Sequence, residues 1–419
     1  MKKLIIIVLL TACSFLWSSA QEKDPQLEAL IAENLFRTGT VLTPYEYIPA
    51  AETPVPKGYK PFYISHYGRH GSRSDWPADG YRGVLDKFAR AHEAGVLSDQ
   101  GEKAYETIKY VFGQYNDMGG RLTPRGAREH RQIAHRMYGK YKKVFKKGCR
   151  KVRAISSTSP RCIISMAAFT GELLSLDPRL DISWDTGEKY MSYISGGSTR
   201  EVRDLTEPIL QADLAAHPRD TSTFLTNVFT DPDAGRAIVG PAKSFLDETL
   251  EVAVASGAFD CDDSLLRLFN RDDLYWHEAH FSMYLYIREC NSVEFGDMRM
   301  ANPEIKAFFK DVMDKADEVI EKGNYAADLR FGHDTHLLGI CSRLGLKGVG
   351  ERLTVEQSQI WPCYRCAPFA GNLQMVFYRN KAGDVLVKFY LNERETTLLS
   401  LPGGPYYRWE DVKTLFTSF

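Results

Sequence analysis

Apolar positions fall into two alternating kinds of segment: short runs of β-branched and aromatic residues, and longer stretches with helical spacing. Phe62-Tyr63-Ile64-Ser65 is the first strand-like run, after a polar lead-in (21–60) broken by Pro54, Pro56 and Gly58. A helical stretch follows at about 83–95. In "GGRLTPRGAREHRQIAHRMYGKYKKVF", Thr123 can cap a helix, Pro124 suits its first turn, and the pattern beyond is amphipathic. Val152 to Ser156 reads as a strand and "SPRCIISMAAFTGELL" as the helix after it. From 178 to 325 helical segments dominate and strand signals are scarce, which predicts an inserted, mainly helical subdomain. "AADLRFGHDTHLLGI" then reads as strand, loop and helix. "NLQMVFYRN" and "DVLVKFYLNE" are strands joined through Lys381-Ala382-Gly383, and a final helix begins near Trp409. The order predicts an α/β fold, a mostly parallel sheet flanked by helices, built from 21–177 plus 326–419. In such a sheet the active crevice lies beyond the C-terminal ends of the strands.

Composition narrows the function. The 419 residues are 44% hydrophobic, enough for a large core, and the formal charge of −1 disfavours a nucleic-acid-binding surface. Met1-Lys2-Lys3, the apolar run Leu4 to Leu10 and the small residues Ser18-Ser19-Ala20 read as an export signal over 1–20. That predicts a periplasmic or secreted protein. Leu10-Thr11-Ala12-Cys13 also fits a lipoprotein signal, so a lipid anchor at Cys13 in the outer membrane is the alternative. No later stretch is apolar for long enough to span a bilayer. Without Cys13 seven cysteines remain, and Cys363-Tyr364-Arg365-Cys366 has no second pair with which to build a zinc site.

Two motifs sit where strand ends are expected. Arg69-His70-Gly71-Ser72-Arg73 follows the first strand, and His333-Asp334 follows the strand ending at Phe331-Gly332. Together they hold what hydrolysis of a phosphomonoester requires. Arginines neutralise the phosphoryl charge with planar, multidentate donors. A neutral imidazole can attack phosphorus in line and form a phosphohistidine, and a carboxyl can protonate the departing alkoxide. Gly71 would let the backbone pass close to the phosphate. Neither a metal ion nor another cofactor is called for.

With these motifs the chain resembles the histidine phosphatase superfamily, in its acid phosphatase and phytase branch. The resemblance rests on "RHGSR", on "GGRLTPRG" at 119–126, on the arginine of "SSTSPRCIIS" and on "GHDT" at 332–335, in the family's order across most of the chain. It implies His70 as the nucleophile, Arg69, Arg73 and Arg161 as phosphoryl clamps, His333 as a further donor and Asp334 as the proton donor. Arg153 is the alternative to Arg161. Small-molecule phosphate esters are the implied partners. "KGYKPFYISHYGRHGSR" is similar to bacterial relatives of the multiple inositol polyphosphate phosphatases, although those tend to carry His-Ala-Glu where this chain has His333-Asp334-Thr335. The chain also lacks a lysine shortly after the first motif, where some phytases bind substrate; the next is Lys87. The expected substrates are therefore inositol polyphosphates including phytate, or sugar phosphates. A phosphoglycerate-mutase-like transferase and a non-catalytic phosphate-ester-binding protein are the alternatives.

Other histidines and charges carry weaker signals. His277 and His280 are three apart rather than the four of a zincin helix, which favours a structural role. His66, His130 and His135 read as structural. The basic run from Arg121 to Arg153 reads chiefly as a solvated helix face.

Overall fold

The computed structural model describes residues 23–74, 78–115, 119–147 and 149–419. The expected export signal at 1–20, with Cys13, lies outside the described residues, as does the Asp75-Trp76-Pro77 that follows the first motif. Among the described residues one sheet runs through the molecule. Its strands are β1 (Lys60–Arg69), β2 (Lys151–Ser156), β3 (Asp181–Thr186), β4 (Ala327–Gly332), β5 (Asn372–Arg379), β6 (Val385–Leu391), β7 (Arg394–Thr396) and β8 (Tyr407–Arg408). Their order is β3-β2-β4-β1-β5-β6-β7, with β8 also paired to β6. The four core strands β3, β2, β4 and β1 are mutually parallel, whereas β5 to β8 extend the sheet with antiparallel pairs.

β1 and β4 are buried almost throughout, as central parallel strands covered on both faces must be. Tyr63, Tyr67, Met375 and Phe377 contribute to one core, with Leu337, Leu338 and Phe308 of the helices over that face. Ile64, Val152, Leu329 and Phe331 contribute to the other, with Ile133, Met137, Phe169 and Leu173. Among the helices are α1 (Pro124–Lys140), α2 (Pro160–Leu176), α3 (Arg271–Glu289), α4 (Pro303–Lys322) and α5 (Asp334–Leu344). α2 follows β2 and α5 follows β4, and they pack in opposite cores. The ends of these adjacent strands therefore open into a crevice between diverging chains.

The segment 178–325 is mainly helical, but it contains β3, which pairs with β2 along its whole length. Its helices begin at Glu188. Those from Thr221 into α3 share a third core with Ala78–Glu93 and Asp99–Tyr115, through Phe88, Ile108, Phe224, Phe245 and Leu266. That helical layer therefore draws on both the β1–α1 connection and the later segment.

Candidate active site

The crevice at the ends of β1, β2 and β4 collects the six residues singled out in the sequence. β1 ends at Arg69 and β4 at Gly332, directly paired in register, and His70 N donates to Gly332 O at 3.0 Å. His70 and His333 thereby stand side by side, with ring centroids 5.8 Å apart. Arg161 opens α2 and lies 3.4 Å from His333 Nδ1 through Nη2. Arg73 leaves the motif beside Leu122, with which it forms an isolated β-bridge. Arg153, the alternative clamp, is placed near the opposite end of β2. It binds Asp328 and Glu318 at 2.6 and 2.7 Å, so it belongs to the scaffold.

His70 is buried, and its Nδ1 lies 3.0 Å from its neighbour's carbonyl, Gly71 O. With the tautomer that donates Nδ1–H to this carbonyl, Nε2 keeps its lone pair. Burial first, then Arg69, Arg73 and Arg161, push the His70 pKa well below its ordinary value, which favours the neutral ring. His333 is lowered to about 4 by burial and by Arg161, against opposition from Asp334.

Arg69 is fully buried and already engaged. Its Nη1 donates to Ala367 O at 2.8 Å and to Val41 O, its Nη2 pairs with Asp334 Oδ2 at 2.7 Å, and its guanidinium lies over the Phe369 ring. Burial raises the Asp334 carboxyl, but Arg69, His333, Arg73 and the Thr335 N–H outweigh it. The net shift is downward, and the ligand-free site holds Asp334 as a carboxylate. A carboxyl already neutral before substrate binds is not what this arrangement favours.

Several residues that hold the site went unread in the sequence. Glu129, on α1, is buried; it accepts from Ser72 N at 2.8 Å, Ser72 Oγ at 2.7 Å and Tyr45 N at 3.2 Å, with Arg125 3.6 Å away. Gly71 and Gly126 put the two motifs in backbone contact. A Cβ on Gly71 would stand 2.4 Å from Gly126 O, and one on Gly126 would stand 2.2 Å from Ser72 O. Gly71 thus serves the packing of the first motif on "TPRG", a constraint that phosphate contact alone did not predict. Tyr67 Oη accepts from His333 N at 3.0 Å, Ser165 Oγ accepts from Gly71 N at 3.1 Å, and Ser157 Oγ lies 3.0 Å from His333 Nε2. Gly126, three residues after the capping Thr123, was the one signal in the sequence, since the other contacts are purely tertiary.

The remaining candidates are occupied elsewhere. His280 Nδ1 pairs with Asp213 at 2.5 Å, and His277 Nδ1 accepts from Arg219 at 3.3 Å. Among the described residues no group of three or more His, Cys, Asp or Glu could hold a metal ion. Cys363 and Cys366 are buried free thiols. His66 and His130 are buried beneath the site against Phe169 and Phe331, while His135 pairs with Glu172 on the surface. In the basic run Arg121, Arg131, Lys142, Lys143 and Lys146 are exposed, whereas Arg125 and Arg128 pair with Asp260 and Arg136 with Glu393. No helix among the described residues is long and apolar enough to cross a membrane.

No protein-family model and no curated protein matches this chain. Solved structures do. The multiple inositol polyphosphate phosphatase of Bifidobacterium longum in complex with phosphate superposes with a TM-score of 0.70 at 15% identity, over 91% of this chain and 98% of that one. The same protein in complex with inositol hexasulfate gives 0.66 at 15% identity, over 91% and 97%. A phytase from D. castellii gives 0.67 at 12% identity, over 94% and 87%. The chain therefore has the fold of these inositol polyphosphate phosphatases and phytases.

Proposed function

We propose that this chain is an exported phosphomonoesterase that works through a phosphohistidine at His70. The observation that supports this most is the convergence of a buried neutral imidazole, three arginines and a carboxylate at the ends of β1, β2 and β4. Arg73 and Arg161 bind the phosphoryl oxygens, and His333 adds a donor. Arg69 holds Asp334 and extends the positive field. His70 Nε2 attacks phosphorus as the ester oxygen departs on the opposite side, and the Nδ1–H hydrogen bond to Gly71 O carries the charge that develops on the ring. Water then attacks the phosphohistidine and releases phosphate.

Asp334 protonates the leaving oxygen. The bound phosphate offsets the arginines that depress its pKa, so the carboxyl becomes easier to protonate once substrate is in place. Having given up that proton, Asp334 is a carboxylate in the phosphohistidine intermediate and takes the proton from the hydrolytic water as it attacks. These steps use side chains and water alone. Inositol polyphosphates and sugar phosphates are the substrate classes, and the export signal expected over 1–20 supports a reaction in the periplasm or outside the cell.

The test is release of inorganic phosphate from phytate, glucose-1-phosphate and p-nitrophenyl phosphate, with EDTA present, by the parent and by His70→Ala. Turnover by the parent alone is expected. Full turnover by His70→Ala, or dependence on added metal, contradicts the reading.

A further inference from the structure

His333 lies between two partners of unequal capacity. Arg161 Nη2 stands 3.4 Å from Nδ1, and a guanidinium can only donate. Nδ1 is therefore the accepting nitrogen, and the neutral ring carries its hydrogen on Nε2. Nε2 lies 3.0 Å from Ser157 Oγ, so Nε2–H donates to that hydroxyl. Cys162 Sγ is 3.8 Å from Nε2 but is committed to Gly332 O at 3.2 Å, which leaves Ser157 as the working partner. Arg69, Arg73 and Asp334 are the remaining charged groups that act on the ring.

In this arrangement neither ring nitrogen offers a hydrogen to the crevice. A phosphoryl oxygen that takes up the Arg161 donor leaves the Nδ1 lone pair facing an anion. That contact is repulsive until the ring proton moves. A hydroxyl both donates and accepts, so Ser157 can partner either tautomer. Its backbone is fixed, with N donating to Phe331 O at 2.9 Å and the carbonyl accepting from Thr186 Oγ1 at 3.2 Å. The side chain has no solvent contact, and rotation of the O–H is the freedom it keeps.

On the reading of this crevice as a phosphate site, we propose that Ser157 is a positioning residue that lets His333 exchange tautomers when phosphate binds. In the free protein Nε2–H donates to Ser157; in the complex Nδ1–H donates to a phosphoryl oxygen. The proton count is unchanged. The Nε2–H bond breaks, an Nδ1–H bond forms through exchange with water, and the Ser157 O–H turns to donate to Nε2.

The experiment is ¹⁵N NMR of the histidine-labelled full chain, with and without inorganic phosphate, for the parent and Ser157→Ala, with His333→Gln as the assignment control. In the parent the ring proton is expected on Nε2 without phosphate and on Nδ1 with it. Ser157→Ala removes only a hydroxyl. It should give a mixture of tautomers in the free protein and weaken phosphate inhibition by about five- to tenfold, the size of one neutral hydrogen bond. A ring that keeps its proton on Nε2 in phosphate-saturated protein overturns the proposal. So does a doubly protonated ring, or a Ser157→Ala variant with parental phosphate affinity and tautomer. Failure of the parent to bind phosphate at all refutes the phosphate-site reading itself, and the proposal with it.

Discussion

Three buried neutral histidines make acid stability a direct test of the electrostatics beneath the site. His66, His130 and His336 each have a pKa pushed down to about 3, chiefly by burial. In the unfolded chain such a ring titrates near 6.5, so between the two values the unfolded state holds the extra proton and stability falls as pH falls. At pH 5 the loss relative to neutral pH is about 2 kcal/mol per residue, or about 6 kcal/mol for the three. Glu278 works the other way. Burial raises it to about 8, it is protonated in the folded protein, and its contribution is lost as pH rises from about 4.5 to 8. A total slope would mix these effects, so a single substitution is the sharper perturbation. His130→Leu removes one titrating ring whose only polar contact, with the Arg69 backbone, is weak. Denaturant unfolding at pH 7.5 and 5.0, followed by tryptophan fluorescence and circular dichroism, gives the stability difference from the parent where the two probes coincide. Whatever packing offset appears at pH 7.5, the difference should move by about 2 kcal/mol in favour of the variant at pH 5. An offset unchanged between the two pH values would refute the assignment of His130 as a buried neutral ring.

Further consequences separate catalysis from scaffold. Asp334→Asn should slow single-turnover phosphorylation of His70 by roughly 10²–10⁴-fold for alkyl phosphates and far less for p-nitrophenyl phosphate, whose leaving group needs no proton; equal losses on both in that step would contradict the proton-donor role. Arg161→Ala should raise KM and cut kcat/KM by on the order of 10²-fold, the scale of a charge-assisted contact to phosphate. Arg153→Ala should leave kcat/KM intact but destabilise by about 1.5–3 kcal/mol, because the buried Asp328 carboxylate loses a charged partner and keeps the Tyr63 hydroxyl at 2.6 Å. Steady-state kinetics and melting curves on both variants distinguish the roles. Gly71→Ala forces a methyl against the Gly126 backbone; it should destabilise by at least about 1–3 kcal/mol and displace His70, read as a drop in kcat beyond what the remaining folded fraction explains.

Much of this site was legible before the structure because its chemistry sits at strand ends. The strand signal before "RHGSR" and the strand signal before "GHDT" place both motifs on one rim once the core strands are parallel. What the pattern could not show is contact between elements. Glu129 lies within a basic amphipathic stretch and reads as a surface residue, yet the fold turns it onto Ser72. Arg153 and Arg161 look interchangeable in sequence, and only their positions along β2 and at the start of α2 separate scaffold from site. The helices at 78–115 look local to the first half but pack with the helical segment much later in the chain. The depressed Asp334 pKa likewise comes from Arg69, which a reading of isolated motifs assigned to phosphate alone.

The central claim is covalent catalysis at His70. Rapid mixing with substrate, quenching in alkali (where phosphohistidine survives) and mapping of the peptide carrying residues 69–73 by mass spectrometry test it directly. A phosphoryl group on His70 is expected to form within one turnover, to decay as phosphate is released and to be absent from His70→Ala. Steady turnover by the parent with no phosphoryl group at His70 at any time point would contradict it.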